Sequence, residues 1–157
     1  MKGQFVFEFL IAGLIFFTIV VYTISFLNVN VSDFKSKFYH NRLQSKAIQV
    51  SEVLMGGGSY LSIAESSEFN PAKIQEFNEN YCNLSEISTY QNLVNDLHLY
   101  ETTVYGVFSD NIKIYLFSPS ETLLDCGPAI PRNITKAEVG RVGVFNGEMA
   151  KLEVVVW

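Results

Sequence analysis

Histidine is nearly missing from this chain: His40 and His98 stand alone, with no carboxylate or cysteine at ligand spacing, which argues against a metal centre. Cysteine is equally scarce. Cys82 and Cys126 are too far apart for the Cys-x-x-Cys spacing of zinc or redox sites. The one glycine run, Gly56-Gly57-Gly58, lacks the Gly-Lys-Ser/Thr ending of a phosphate-binding loop. A Gly-x-Ser-x-Gly elbow is absent, and no convincing pair of carboxylates is set up for acid–base work. These gaps point away from an enzyme and imply no cofactor. Basic residues are thin as well. Between Val50 and Asn111 the acids from Glu52 to Asp110 face a single Lys73, so there is no basic patch for nucleic acid.

Charge is missing altogether from Phe9 to Leu27. At about 1.5 Å per residue those positions cover roughly 28 Å, close to a hydrocarbon core of about 30 Å. The stretch is expected to span a membrane. An ordinary secretory signal carries its cleavage site after the apolar run. Here only Met1-Lys2-Gly3-Gln4 precedes the first apolar residue, and the one plausible processing site lies before the run. Lys2 favours a cytoplasmic amino terminus, and Gly3 offers a protease an unhindered backbone. Glu8 is the informative residue. A carboxylate within an apolar helix costs a few kcal/mol unless it reaches the interface or finds a partner, which makes it a functional candidate.

Lys2-Gly3-Gln4 followed by Glu8 resembles the class III signal peptide of type IV pilin-like proteins, the archaeal branch in particular. The resemblance covers Lys2 to about Leu27. It implies cleavage between Gly3 and Gln4 by a prepilin peptidase, which leaves Glu8 as the fifth residue. It also implies that the apolar helix is kept, first as an anchor and then as the polymerisation element. In that family the glutamate meets the new amino terminus of a neighbouring subunit, which here is Gln4. The implied partners are copies of the chain itself, the peptidase, an assembly ATPase with its membrane platform protein, and membrane lipid. Adhesion is what the family implies for the filament, and the chain itself names no ligand.

Beyond the anchor, Asn28 to Asp33 are all weak helix formers and predict a loosening. Leu27, Val31, Phe34 and Phe38, and after a shift Leu43, Ala47, Val50 and Leu54, then recur at helical spacing. The three glycines at 56–58 are expected to end this long helix through a left-handed cap. Lys35, Lys37, Arg42 and Lys46 along it suit lipid headgroups or an acidic neighbour, or else a plain solvated face. Asn70-Pro71 reads as a helix start leading to Ile74, Phe77 and Tyr81, and a second short helix is expected to carry Ile87, Tyr90, Val94 and Leu97. From Thr102 the period becomes two. Thr103–Phe108 and Ile112–Phe117 predict a hairpin across Asp110-Asn111, and Pro119 to Pro131 reads as an irregular connection. Asn146-Gly147 predicts a type I′ turn joining Glu138–Phe145 to Glu148–Trp157.

The expected fold is therefore α+β: a leader at 1–3, a transmembrane helix at 4–27, its soluble half at 28–55, and a head at 56–157 with two short helices and a four-stranded antiparallel sheet, as in type IV pilins. With the amino terminus inside, the head lies outside the cytoplasm. Cys82 and Cys126 would pair there, restricting the unfolded chain by roughly 4 kcal/mol; the alternative is two buried thiols. Asn30, Asn83 and Asn133 each open an Asn-x-Ser/Thr triplet, and Asn83 and Asn133 are the candidate glycosylation sites. The leading expectation is an extracellular filament subunit. A non-polymerising, membrane-anchored binding module and a minor pilin or pseudopilin are the alternatives.

Overall fold

Helix α1 runs unbroken from Lys2 to Met55 in a computed structural model that describes residues 2–82, 87–103 and 106–157. The expected loosening at 28–33 does not occur. Asn30 turns its amide back onto the Phe26 carbonyl at 2.7 Å, so the polar side chain satisfies itself along the helix. Thr18 and Thr23 do the same, with hydroxyls 2.8 Å from the carbonyls of Leu14 and Ile19. The chain divides into two compact units, Met1–Tyr39 and His40–Trp157. The first is helix alone. It includes the apolar stretch long enough to cross a membrane, and its large side chains are exposed, Phe9 by 77% and Phe17 by 68%.

The second unit, the head, begins inside α1. Leu43, Ala47, Val50 and Leu54 are at most 1% exposed and join the head core. The helix stops at Met55, though without the expected left-handed glycine: positive φ occurs at Gly127 and Gly147, not at 56–58. The chain folds back instead, and the Leu54 carbonyl accepts from the Ile63 amide at 2.9 Å and the Ser62 hydroxyl at 3.3 Å.

Two short strands follow, β1 (Ala64–Glu65) and β2 (Glu68–Phe69), joined through Ser66 and Ser67, both at positive φ. Helix α2 (Pro71–Tyr81) starts where expected. Asn70 Oδ1 accepts from the amides of Ala72 and Lys73, and Pro71 occupies the first turn, where its missing N–H costs nothing. It buries Ile74 and Phe77. Helix α3 (Ile87–Asp96) buries Leu93 and Val94, with Leu97 just after it.

Strands β3 (Tyr100–Thr103), β4 (Gly106–Ser109), β5 (Ile112–Phe117), β6 (Thr122–Cys126), β7 (Ala137–Phe145) and β8 (Glu148–Val156) complete the head. The four-stranded antiparallel sheet is corrected to a mixed six-stranded sheet ordered β1-β2-β7-β8-β5-β6, with β3 and β4 forming a separate pair. The hairpin expected across Asp110-Asn111 does not form. β4 pairs β3, and β5 runs between β8 and β6. The reason is local. Asp110 faces Arg42 and Lys46, at 3.1 and 2.7 Å, while Asn111 exchanges both backbone hydrogen bonds with Trp157, so these residues open β5 rather than turn. The supposedly irregular stretch contains β6, whose Leu124 and Cys126 are buried. Val104 and Tyr105, part of that expected hairpin, lie outside the described residues.

The turn at Asn146-Gly147 has φ of 51° and 84°, the two positive values that a type I′ turn requires. The parallel contact of Glu68 in β2 with Val144 in β7 needs a glycine beside it. A Cβ on Gly143 would sit 2.6 Å from the Ser67 carbonyl and 2.7 Å from the Phe69 ring. On the inner sheet face Ile112, Ile114 and Leu116 of β5 and Leu152, Val154 and Val156 of β8 are fully buried and share one core with the second half of α1. Cys82 and Cys126 form a disulfide that ties the end of α2 to β6.

Three outcomes follow for the head, whose unfolding Trp157 fluorescence reports because that ring is 5% exposed. Replacing both cysteines by serine should lower stability by about 4 kcal/mol in chemical denaturation. Asp110→Asn leaves two cations facing a neutral amide and should cost about 2–3 kcal/mol, less than for a wholly buried pair because Arg42 reaches solvent. Tyr81 donates its hydroxyl to Asp96 at 3.1 Å; burial first, then that hydrogen bond and the charge of Asp96, push its pKa up from 10.0 to about 12. The folded state thus holds this proton more tightly than the unfolded state. The stability it contributes is complete below pH 10.0 and is lost as pH rises through about 12. Tyr81→Phe should remove that alkaline component from the pH dependence of unfolding.

Candidate functional site

The apolar first unit carries the residues singled out for processing and assembly. Gly3 and Gln4 are in the first turn of α1, and Glu8 follows on the same helix with its side chain exposed. Gln4 and Glu8 are four residues apart along α1, about one helical turn. Gly13 opens a notch on the helix, since a Cβ built there meets nothing within 4 Å. Phe9, Leu10, Leu14 and Phe17 line it. Large rings around a missing side chain make a hole that a side chain from another helix can fill, and small residues let helix backbones approach closely.

Past Leu27 the apolar stripe continues as Val31, Phe34 and Phe38, which are 48, 69 and 64% exposed. The rings of Phe34 and Phe38 stack at 6.3 Å, making a continuous aromatic ridge. The sequence periodicity shows these positions but not their fate, because Leu43 to Leu54 repeat the same spacing and enter the core. The shift of phase between the two sets is the signal that separates them. The basic stretch divides at the same point. Lys35 and Lys37 are exposed, whereas Arg42 and Lys46 bind Asp110, with Lys46 Nζ also 3.5 Å from the Leu99 carbonyl.

In the head the candidate residues fall apart into separate roles. Cys82 and Cys126 are joined by their disulfide. Asn133 is exposed in a turn at φ 64°, geometry open to modification, while Asn83 lies outside the described residues. Asn30 is held within α1 by its bond to Phe26. His98 is exposed, with Nδ1 3.1 Å from the Asp96 carbonyl and its ring stacked on Tyr100, and His40 is exposed on α1. Lys113 is the one strongly buried cation of the sheet among the described residues. Its ammonium is held by Asp125 and by the Gly127 carbonyl at 2.7 Å, with the Tyr115 ring below, which makes it a structural group. No cluster of three potential metal ligands occurs among the described residues.

Compared with known proteins, the chain matches no family model, no curated protein and no solved structure.

Proposed function

We propose that the protein is a non-catalytic subunit of an extracellular type IV pilus-like filament, cut between Gly3 and Gln4 and assembled through α1. The observation that carries this reading is the exposed ridge of Val31, Phe34 and Phe38. Phe9 to Leu27 already fill the bilayer, and at 1.5 Å per residue Phe34 and Phe38 stand about 10 and 16 Å beyond Leu27. Lipid chains that cover the first stretch do not reach that far. A filament of parallel, staggered helices covers both, since a neighbour's helix replaces lipid along the span and water along the ridge. Glu8 then fixes the stagger by meeting the Gln4 amine of the next subunit, a pairing that relieves the cost of a carboxylate in an apolar environment.

The non-polymerising anchored module explains the anchor and the disulfide equally well. It leaves unexplained both the ridge and the spacing of Gly3, Gln4 and Glu8. The peptidase, the assembly ATPase and the platform protein enter as partners with the filament reading.

The deciding experiment determines the amino terminus and intact mass of protein from membranes and from sheared surface material. A chain beginning at Gln4 and present in sheared fibres supports the filament; a chain beginning at Gln4 and confined to membranes indicates a minor pilin or pseudopilin. An intact Met1 overturns the reading and puts the anchored module first. Glu8→Ala should still insert and be cut, yet lose filament yield by about tenfold or more, as does the loss of about 1.4 kcal/mol at each contact. The double change Phe34→Ser with Phe38→Ser should abolish fibres without altering processing or head stability, and unchanged fibre yield would exclude the ridge as an assembly surface.

A further inference from the structure

The head contains a cleft of about 330 Å³ between α2 and the loop that follows α1, built from residues that the filament reading does not use. One wall is a single face of α2. Lys73, Glu76, Phe77, Asn80 and Tyr81 fall at successive turns, so their side chains project together. Phe77 is 4% exposed, and its ring lies 5.2 Å from that of Tyr81, giving the cleft an aromatic floor. The opposite wall is Tyr60, which is 78% exposed on the rim. An exposed tyrosine on a loose loop would mean little, but this loop is fixed. Leu61 and Ile63, which follow Tyr60, are 2% and 0% exposed, and half-buried Ser59 before it is tied in, its carbonyl accepting from the Ser62 amide at 3.0 Å and its Oγ from the Leu61 amide at 3.1 Å. The ring is presented outward by anchored neighbours, so a ligand meets it with little ordering cost.

The polar groups narrow the ligand. Glu76 and Asn80 lie one turn apart on α2, and among the described residues neither of their side chains nor the Tyr60 hydroxyl makes a hydrogen bond. A carboxylate accepts from two hydroxyls, a carboxamide both donates and accepts, and a phenol does either. That set complements adjacent hydroxyl groups on one edge of a ring, while the aromatic face of Tyr60 suits the apolar C–H face of the same ring. Lys73 is neutralised by Glu65 at 2.7 Å, which leaves Glu76 as the uncompensated charge. Anionic ligands are therefore disfavoured. The volume falls at the lower end of small-molecule sites, about 300–1,000 Å³, and suits one or two sugar rings rather than a large ligand.

We propose that this cleft binds a neutral pyranose sugar, with Tyr60 stacking on the ring and Glu76 and Asn80 holding vicinal hydroxyls. All of these residues belong to the head, so the site is independent of whether the chain polymerises.

The test uses the full chain in phospholipid nanodiscs, because glycoside detergents would themselves present pyranose rings to the cleft. Methyl α-mannopyranoside, methyl β-galactopyranoside and N-acetylglucosamine are titrated by saturation-transfer NMR, with glucuronate and choline as charged probes. Saturable binding of at least one neutral sugar, with Kd on the order of 1 mM, is expected. Tyr60→Ala and Asn80→Ala should weaken it by about tenfold or more while leaving thermal unfolding of the head in place, and Tyr60→Trp should keep or strengthen it. Absence of saturable binding by all three neutral sugars up to about 10 mM overturns the proposal. It is equally overturned by binding that Tyr60→Ala leaves intact, by loss of binding in a folded Tyr60→Trp variant, or by preference for glucuronate or choline.

Discussion

One helix here carries two apolar surfaces with different fates. The apolar surface of α1 extends past the length that a bilayer covers, while a head core claims its later stripe, from Leu43 to Leu54. Between these lies the stretch from Val31 to Phe38, whose side chains are exposed. Burial of apolar area is worth about 25 cal/mol per Å², so leaving two phenylalanines and a valine in water is costly over the life of the molecule. The polar residues within the helix are arranged to spare it further cost. Thr18, Thr23 and Asn30 each return a hydrogen bond to the carbonyl four residues back, and none asks for a partner outside the helix.

The head is organised by contacts between residues far apart in the chain. Asp110 draws Arg42 and Lys46 of α1 onto the start of β5, and Tyr90 of α3 receives the Ile112 amide at 2.9 Å just beyond it. The same strand is flanked by β8 and β6, so helix, sheet and disulfide converge on one short segment. Arg141 on β7 adds a further tie to α1, donating to Ser51 Oγ at 3.1 Å.

What could be read from the sequence was what local chemistry decides. The Asn70-Pro71 cap, the end of α1 near Gly56 and the Asn146-Gly147 turn each depend on a few adjacent residues, and each appears at its expected position. Asp110-Asn111 misled because both residues favour turns, whereas their conformation is set by partners 64 and 68 residues away on α1 and by Trp157 at the other end of the head. β1 and β2 were invisible: they are two residues each, and their turn uses Ser66-Ser67 at positive φ, where asparagine or glycine would have signalled it. β6 lay between proline and glycine punctuation that reads as loop. Gly3, Gln4 and Glu8 could be singled out from sequence because the resemblance they carry is a spacing along one segment. The cleft was not, since Tyr60 and Asn80 come from different elements and meet only after folding.

The disulfide has a mechanical side. Cys82 and Cys126 are separated by 44 positions, and the bond short-circuits everything between them, including β3, β4 and β5. A pull on the two ends of the chain is carried across the sulfurs and cannot draw out that segment, which withholds about 150 Å of contour length from extension. The carboxyl-terminal strand β8 is locked between β7 and β5 in the middle of the sheet, so it has two neighbours to shear past before it comes free. A head built this way gives little under tension: its slack is limited covalently on one side and by paired backbone on the other.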